Sequence, residues 1–206
     1  MLHNILIRAK KEGIKTYMTP HMDKILSLLE KIDKNIEKDF YESITRFEFK
    51  KGDFLINEGT LPKQIWFIES GIARKYINRD GVDISQHFYC SGEFVFLYTD
   101  YIFHKNTTQN IQFLNDSVVY SIKWEIFDQF KTRHPIFRQI EVIILAAYVG
   151  WLEQKINLCQ RSSAKDKYDY LKQSQAHLLE LVPHHYIASY LDITRETLSR
   201  IRKEHK

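Results

Sequence analysis

The hydrophobic period of this chain changes at His134-Pro135, and the change divides what each part can fold into. Before it, from about Ile44 to Ile122, short β-rich runs alternate with turn residues. Phe54-Leu55-Ile56 precedes Asn57-Glu58-Gly59, Ile65-Trp66-Phe67-Ile68 precedes Glu69-Ser70-Gly71, and Val82 to Tyr89 ends at Ser91-Gly92. After Ile72 to Ile77, Asn78-Arg79-Asp80-Gly81 predicts a tight hairpin, because Asp-Gly readily takes positive φ. Regular short strands with this punctuation predict an antiparallel barrel or sandwich.

After Pro135 the period is helical. Ile136, Ile140, Ile144, Ala147, Trp151 and Leu158 recur at steps of three, four or seven and trace one face of a helix of about 20 residues. Ile143, Tyr148 and Leu152 widen the apolar surface beyond what one neighbour covers, so a second copy of the chain is expected against it. The expected dimer contacts are Ile140, Ile144, Ala147, Trp151 and Leu158. The most apolar stretch, Val142 to Leu152, lies between Glu141 and Glu153 and falls short of the about 18 residues a membrane span needs. Arg161 to Asp166 reads as a polar junction, followed by helices over Ala164–Gln175 and His177–Leu181. The first ~40 residues read as helical, with Ile25, Leu28, Leu29 and Ile32 on one face.

The segment from Pro183 to Lys203 carries most of the functional information. Two helices joined by a tight turn need a small residue where their backbones meet, which Ala188 supplies. They also need inward apolar residues, here Ile187, Leu191, Ile193, Leu198 and Ile201. Thr194 suits the N-cap of the second helix. Asp192 stands at the turn where glycine is most usual, and aspartate tolerates the left-handed conformation better than most residues. At about 100° per residue, Arg195, Glu196, Ser199, Arg200 and Lys203 fall opposite Leu198 and Ile201. Such a face suits the major groove, where arginine pairs bidentately with guanine and glutamate accepts from the cytosine amine. Thr194, Ser199, Arg202, Lys203 and Lys206 are expected near phosphates.

This arrangement resembles the Crp/Fnr family of bacterial transcription regulators. Thr194-Arg195-Glu196-Thr197-Leu198-Ser199-Arg200 is similar to the family's recognition-helix pattern, and by that resemblance Arg195, Glu196 and Arg200 read bases. Leu61 to Gly71 and Gly92-Glu93-Phe94 resemble its cyclic-nucleotide-binding β-roll. The resemblance implies an α+β chain divided into N-terminal helices and an antiparallel β-roll (1–134), a dimerisation helix (135–160) and a helix-turn-helix domain (161–206). An effector pocket would involve Phe96, Tyr98, Thr107 and Thr108. Members that bind cyclic AMP hold its phosphate with an arginine. No arginine lies between Arg79 and Arg133 here, so tight cyclic AMP binding is not expected. Many members continue beyond the recognition helix into a small β-wing, and the phosphate contacts of that wing are not expected within a sequence ending at Lys206.

The remaining features read as structural. Net charge is +4, which permits a nucleic-acid partner without demanding one. Cys90 and Cys159 show no metal-site or disulfide spacing and read as buried thiols. His87 and His104 lack a recognisable carboxylate partner, so no metal is expected, nor any cofactor. The N-terminus lacks the ordered regions of a secretory signal, and no nucleophile–base motif or phosphate-cradling loop stands out. The expectation is a cytoplasmic homodimer that binds double-stranded DNA, not an enzyme and not a membrane protein. An unidentified effector and a contact with RNA polymerase are left open. The rival reading is a small-molecule-binding β-roll whose helical tail takes a protein partner. A third, a cupin-like metalloenzyme, would require bound metal.

Overall fold

The structure is a computed structural model that describes residues 6–7 and 19–204. Met1 to Ile5, much of the N-terminal helical reading, and Lys206 lie outside the described residues.

Two four-stranded antiparallel sheets form the β-roll. One has the order β1 (Thr45–Phe49), β8 (Ser117–Lys123), β3 (Gln64–Ser70), β6 (Phe94–Val95). The other runs β2 (Phe54–Ile56), β7 (Asn110–Phe113), β4 (Ile72–Arg79), β5 (Val82–Cys90). The β4–β5 hairpin turns at Asp80 (φ 53°) and Gly81 (φ 82°), both positive, which is what a two-residue turn matched to strand twist requires. Gly71 (φ 113°) links β3 to β4 beside Ser117, whose Oγ would lie 2.0 Å from any Cβ at that position. No other residue fits there without moving the β8 backbone.

Side chains alternate along the strands, so each sheet has two faces with different neighbours. Ile68, Ala73, Tyr89, Val95, Ile111, Phe113 and Val119 fill the interior of the roll. On the other side of β3 and β8, Ile65, Phe67 and Ile122 meet a layer of helices: α1 (Thr19–Leu29), α2 (Lys34–Glu42), α4 (Trp124–Arg133) and the first half of α5 (Pro135–Cys159). Ile25 and Leu29 are buried there, and Leu28 and Ile32 are partly buried against the same cluster. A short α3 (Tyr98–Ile102) follows β6. The outward face of the β4–β5 hairpin contributes Ile72, Phe88 and Cys90 to a separate cluster with Leu158, Tyr168, Leu171, Leu178, Ile187, Leu198 and Ile201. These belong to the end of α5 and to α6 (Ala164–Ser174), α7 (Ala176–Leu181), α8 (His184–Leu191) and α9 (Arg195–Glu204). The result is the expected α+β class.

Pro135 opens α5 at its first turn, where the missing N–H costs nothing. By length and composition alone α5 could cross a membrane. It is nevertheless built into the protomer: Phe137, Ile140, Ile144, Ala147, Trp151 and Leu158 are all buried.

Lys75 sits inside the roll, opposite His87 on β5 and 5.8 Å from the Trp151 ring centroid. Burial pushes its ammonium down to about 8, with Asp100 opposing the shift. Burial likewise takes Lys155 to about 8. Between about pH 8 and 10 the unfolded chain therefore binds more protons than the folded one, so stability should rise with pH across that window. Above about 10 the sign reverses as tyrosines of the unfolded chain ionise, because burial raises the Tyr190 hydroxyl in the fold. Urea denaturation should give a higher midpoint near pH 9.5 than near pH 7.5. Lys75→Met should remove part of that gain and raise stability at pH 7.5 by about 1–3 kcal/mol. A flat profile, or a destabilised variant, would contradict this placement of Lys75.

Candidate nucleic-acid interface

Helices α8 and α9 meet at a turn whose central residue, Asp192, takes φ 53° and ψ 54°, the left-handed region. Its N–H caps the Ala188 and Ser189 carbonyls, and Ile193 N–H donates to Ala188 O at 3.0 Å. Thr194 Oγ1 accepts from Thr197 N–H at 3.1 Å, the N-cap bond its position suggests. Ile187, Ala188, Leu191, Leu198 and Ile201 are each 4% exposed or less, so one small apolar core holds the pair rigidly. Lysines from neighbouring helices secure the end of α8: Lys155 Nζ donates to Tyr190 O at 2.7 Å, and Lys167 Nζ to Leu191 O at 3.1 Å. Cations at a helix C-terminus satisfy carbonyls left without intrahelical partners.

The exposed side of α9 carries the predicted polar set. Thr194, Arg195, Glu196, Ser199, Arg200 and Lys203 are exposed, whereas Arg202 is half-buried. Arg195 and Ser199 share the flank toward α8 with Arg202, and Glu196 and Arg200 lie farther round the helix. Among the described residues no ion pair joins a carboxylate to Arg195 or Arg200, which leaves both guanidiniums available to a ligand.

Contacts not foreseen from sequence seat this helix pair on the β-roll. Arg74, 1% exposed, lies between the rings of Tyr76 (4.3 Å) and Tyr186 of α8 (4.0 Å). Its Nε donates to Ser85 Oγ at 2.8 Å, and its Nη1 lies 3.3 Å from Asp83. Ser189 Oγ accepts from Ser85 N–H at 2.9 Å and donates to Asp83 O at 3.1 Å. The only sequence signal was an arginine inside the apolar run of β4.

The long helix corrects one reading. Ile140, Ile144, Ala147, Trp151 and Leu158, expected at a dimer interface, are packed inside the protomer, with the Trp151 ring 4.0 Å from His87. The face left to solvent carries Val142 (63% exposed), Val149 (53%), Leu152 (37%) and Ile156 (55%), with Leu145 partly buried and Cys159 exposed. The order 142, 145, 149, 152, 156, 159 alternates steps of three and four, a heptad seam. Cys159 is thus not the buried thiol expected. Cys90 is, and burial pushes its thiol well up, away from the reactive thiolate.

The four effector-pocket residues are not brought together. Phe96 and Tyr98 pack toward Trp124 (6.5 and 5.6 Å between ring centroids). Thr107 is buried, its backbone bonded to Gly59 and Thr60, and Thr108 is exposed. His87 does have a carboxylate neighbour, Glu93 Oε2 at 3.8 Å, contrary to expectation. Burial and the Lys75 charge keep the imidazole neutral, so the contact is not an ion pair. His104 is exposed beyond α3, on another part of the surface. Among the described residues no group of three or more His, Cys, Asp or Glu side chains is placed to hold a metal.

Residues 46–134 match the family described as "Cyclic nucleotide-binding domain". A comparison with curated proteins gives no match. Among solved structures, a cyclic nucleotide-binding domain containing protein from Listeria monocytogenes is 14% identical, with 89% of each chain covered and a TM-score of 0.66. A protein assigned to the Crp/Fnr family of transcriptional regulators, from Eubacterium rectale, is 17% identical, with 86% of this chain and 85% of that chain covered and a TM-score of 0.65. FixK2 from Bradyrhizobium japonicum is 18% identical, with 78% of this chain and 83% of that chain covered and a TM-score of 0.63. At such identities the likeness is one of fold.

Proposed function

We infer that this chain, which carries a cyclic nucleotide-binding domain within a Crp/Fnr-type fold, is a DNA-binding transcription regulator that works as a parallel homodimer and has no catalytic role. The observation that carries the reading is the exposed face of α9, where Arg195, Glu196, Ser199 and Arg200 project from a helix fixed by the left-handed turn at Asp192 and the buried core of Ile187, Leu191, Leu198 and Ile201. A solvated helix needs exposed charges, but it does not need that turn or the docking of α8 on Ser85 and Arg74. The domains expected over 1–134, 135–160 and 161–206 then have separate tasks: support, dimerisation and reading.

The seam on α5 supports dimerisation. In a parallel pair, β-branched residues at the a positions (Val142, Val149, Ile156) with leucine at d (Leu145, Leu152) favour two strands. Two α9 helices would then face successive major grooves, roughly 34 Å apart. Cys159 falls at the next d position, so a parallel pair brings two copies of it face to face. Mild oxidation should cross-link the chain quantitatively at Cys159 and leave the buried Cys90 unmodified. An antiparallel pair would separate the thiols by roughly 25 Å or more, from about 1.5 Å rise per residue. Failure to cross-link at concentrations where the protein sediments as a dimer would therefore refute the parallel arrangement.

Cyclic AMP is not the gate in this reading. The buried cations of the roll are already committed, Arg74 between two tyrosine rings and Lys75 against Trp151 and near Asp100. The Thr107–Thr108 region that the family resemblance aligns with its phosphate-holding pair supplies no guanidinium.

A further inference from the structure

Beside the recognition helix lies a hollow of about 290 Å³ lined by His184, His185, Arg195, Leu198, Ser199, Arg202 and Lys203. Its lining combines two imidazoles with three permanent cations and includes no carboxylate. Arg202 Nη1 is shielded from solvent and has no hydrogen-bond partner among the described residues. A buried guanidinium N–H without an acceptor is costly, and an incoming anion would relieve it. Ser199 adds a hydroxyl donor, and Arg195 reaches the hollow from the first turn of α9.

We propose that this hollow is a seat for one backbone phosphate of duplex DNA, and that His184 and His185 take up protons as the phosphate enters, making DNA affinity pH-dependent. The proposal rests on the DNA-binding reading above and deepens it.

On α8 the two histidines face each other's charge; α9 presents Arg195, Arg202 and Lys203; β4 presents Arg74 near His185. His185 also borders a neighbouring hollow with Asp83 of β5 and Asp192 of the turn. The cations outweigh those carboxylates, since the His185 imidazole is lowered. In the free protein His184 is lowered by burial and by Arg202, and His185 by burial, Arg195, Arg74 and His184. Both are therefore mainly neutral near pH 7. A phosphate among them reverses the sign of the local field and favours imidazolium. The added affinity is present at low pH and is lost as pH rises through the imidazole pKa of the complex.

The test measures binding of a random-sequence duplex, long enough for two half-sites, at constant ionic strength across pH 6 to 8. Wild type should bind about tenfold more tightly at pH 6 than at pH 8, the equivalent of one pKa unit of coupling. The His184→Gln/His185→Gln protein should lose most of the gain between pH 8 and pH 6, read as the ratio of its own affinities at the two pH values. Proton NMR should show both imidazole pKa values rising on addition of duplex, a readout independent of any variant's folding. An unchanged pH profile in the double variant, or unmoved imidazoles, overturns the proposal while leaving the DNA reading intact. Imidazoles that respond to orthophosphate but not to duplex mark a free-phosphate site and overturn it as well. Absence of duplex binding at every pH defeats the DNA reading itself.

Discussion

In the proposed parallel pair, Val149→Glu is expected to separate the two copies into a folded monomer of 24.7 kDa and to lower affinity for a two-half-site duplex by at least about a hundredfold near 0.15 M salt. Val149 occupies the central a position of the exposed seam and is 53% exposed in the protomer, so the substitution touches little of the core. In a parallel pair two glutamates would meet on the two-fold axis, and burying like charges there outweighs the apolar gain of one layer. A monomer reaches a single half-site and loses most of its specific advantage over non-specific binding. Trp151→Glu is the contrast. Trp151 is 3% exposed and packed on His87, so this change should unfold the protomer instead of merely separating two of them. Sedimentation of the Val149 variant as an intact dimer would place the interface elsewhere.

The second large effect concerns base reading. Arg200→Ala should cost about 1–3 kcal/mol per half-site, hence about 2–6 kcal/mol for the dimer, and should relax preference at one symmetric pair of positions. Arg195→Ala should weaken binding by a similar amount, with the added loss of a cation from the phosphate hollow. Lys203→Ala should behave differently, weakening all sequences alike and reducing the salt dependence by about one ion per half-site. Equal, sequence-independent losses for Arg200 and Lys203 would show that Arg200 holds phosphate and reads no base.

Much of this architecture is legible in the sequence where short-range chemistry decides it. Asp80-Gly81 specifies its turn because both residues must take positive φ, and the small core of Ala188, Leu191 and Leu198 follows from spacing along two short helices. The face of α5 was not legible in the same way. Its apolar residues surround most of the helix, and the Ile140–Ile144–Ala147–Trp151 stripe obeys the same steps as the Val142–Leu145–Val149–Leu152 stripe. Periodicity identifies both but does not say which one the β-roll covers. The docking of α8 escaped for a different reason: Ser189 and Ser85 are 104 positions apart, and their bond depends on how two preformed units meet. The His87–Glu93 neighbourhood similarly arises from a turn at Ser91-Gly92 that folds the carboxylate back under β5.

Selection from a random duplex pool by the purified protein, with no nucleotide added and near physiological ionic strength, tests the proposed DNA-reading role most directly. An inverted repeat with half-sites about one helical turn apart, lost on Arg195→Ala or Arg200→Ala, is the expected outcome. Recovery of no motif, or of one that appears only when cyclic AMP is supplied, would contradict respectively the DNA-reading role and its independence from that nucleotide.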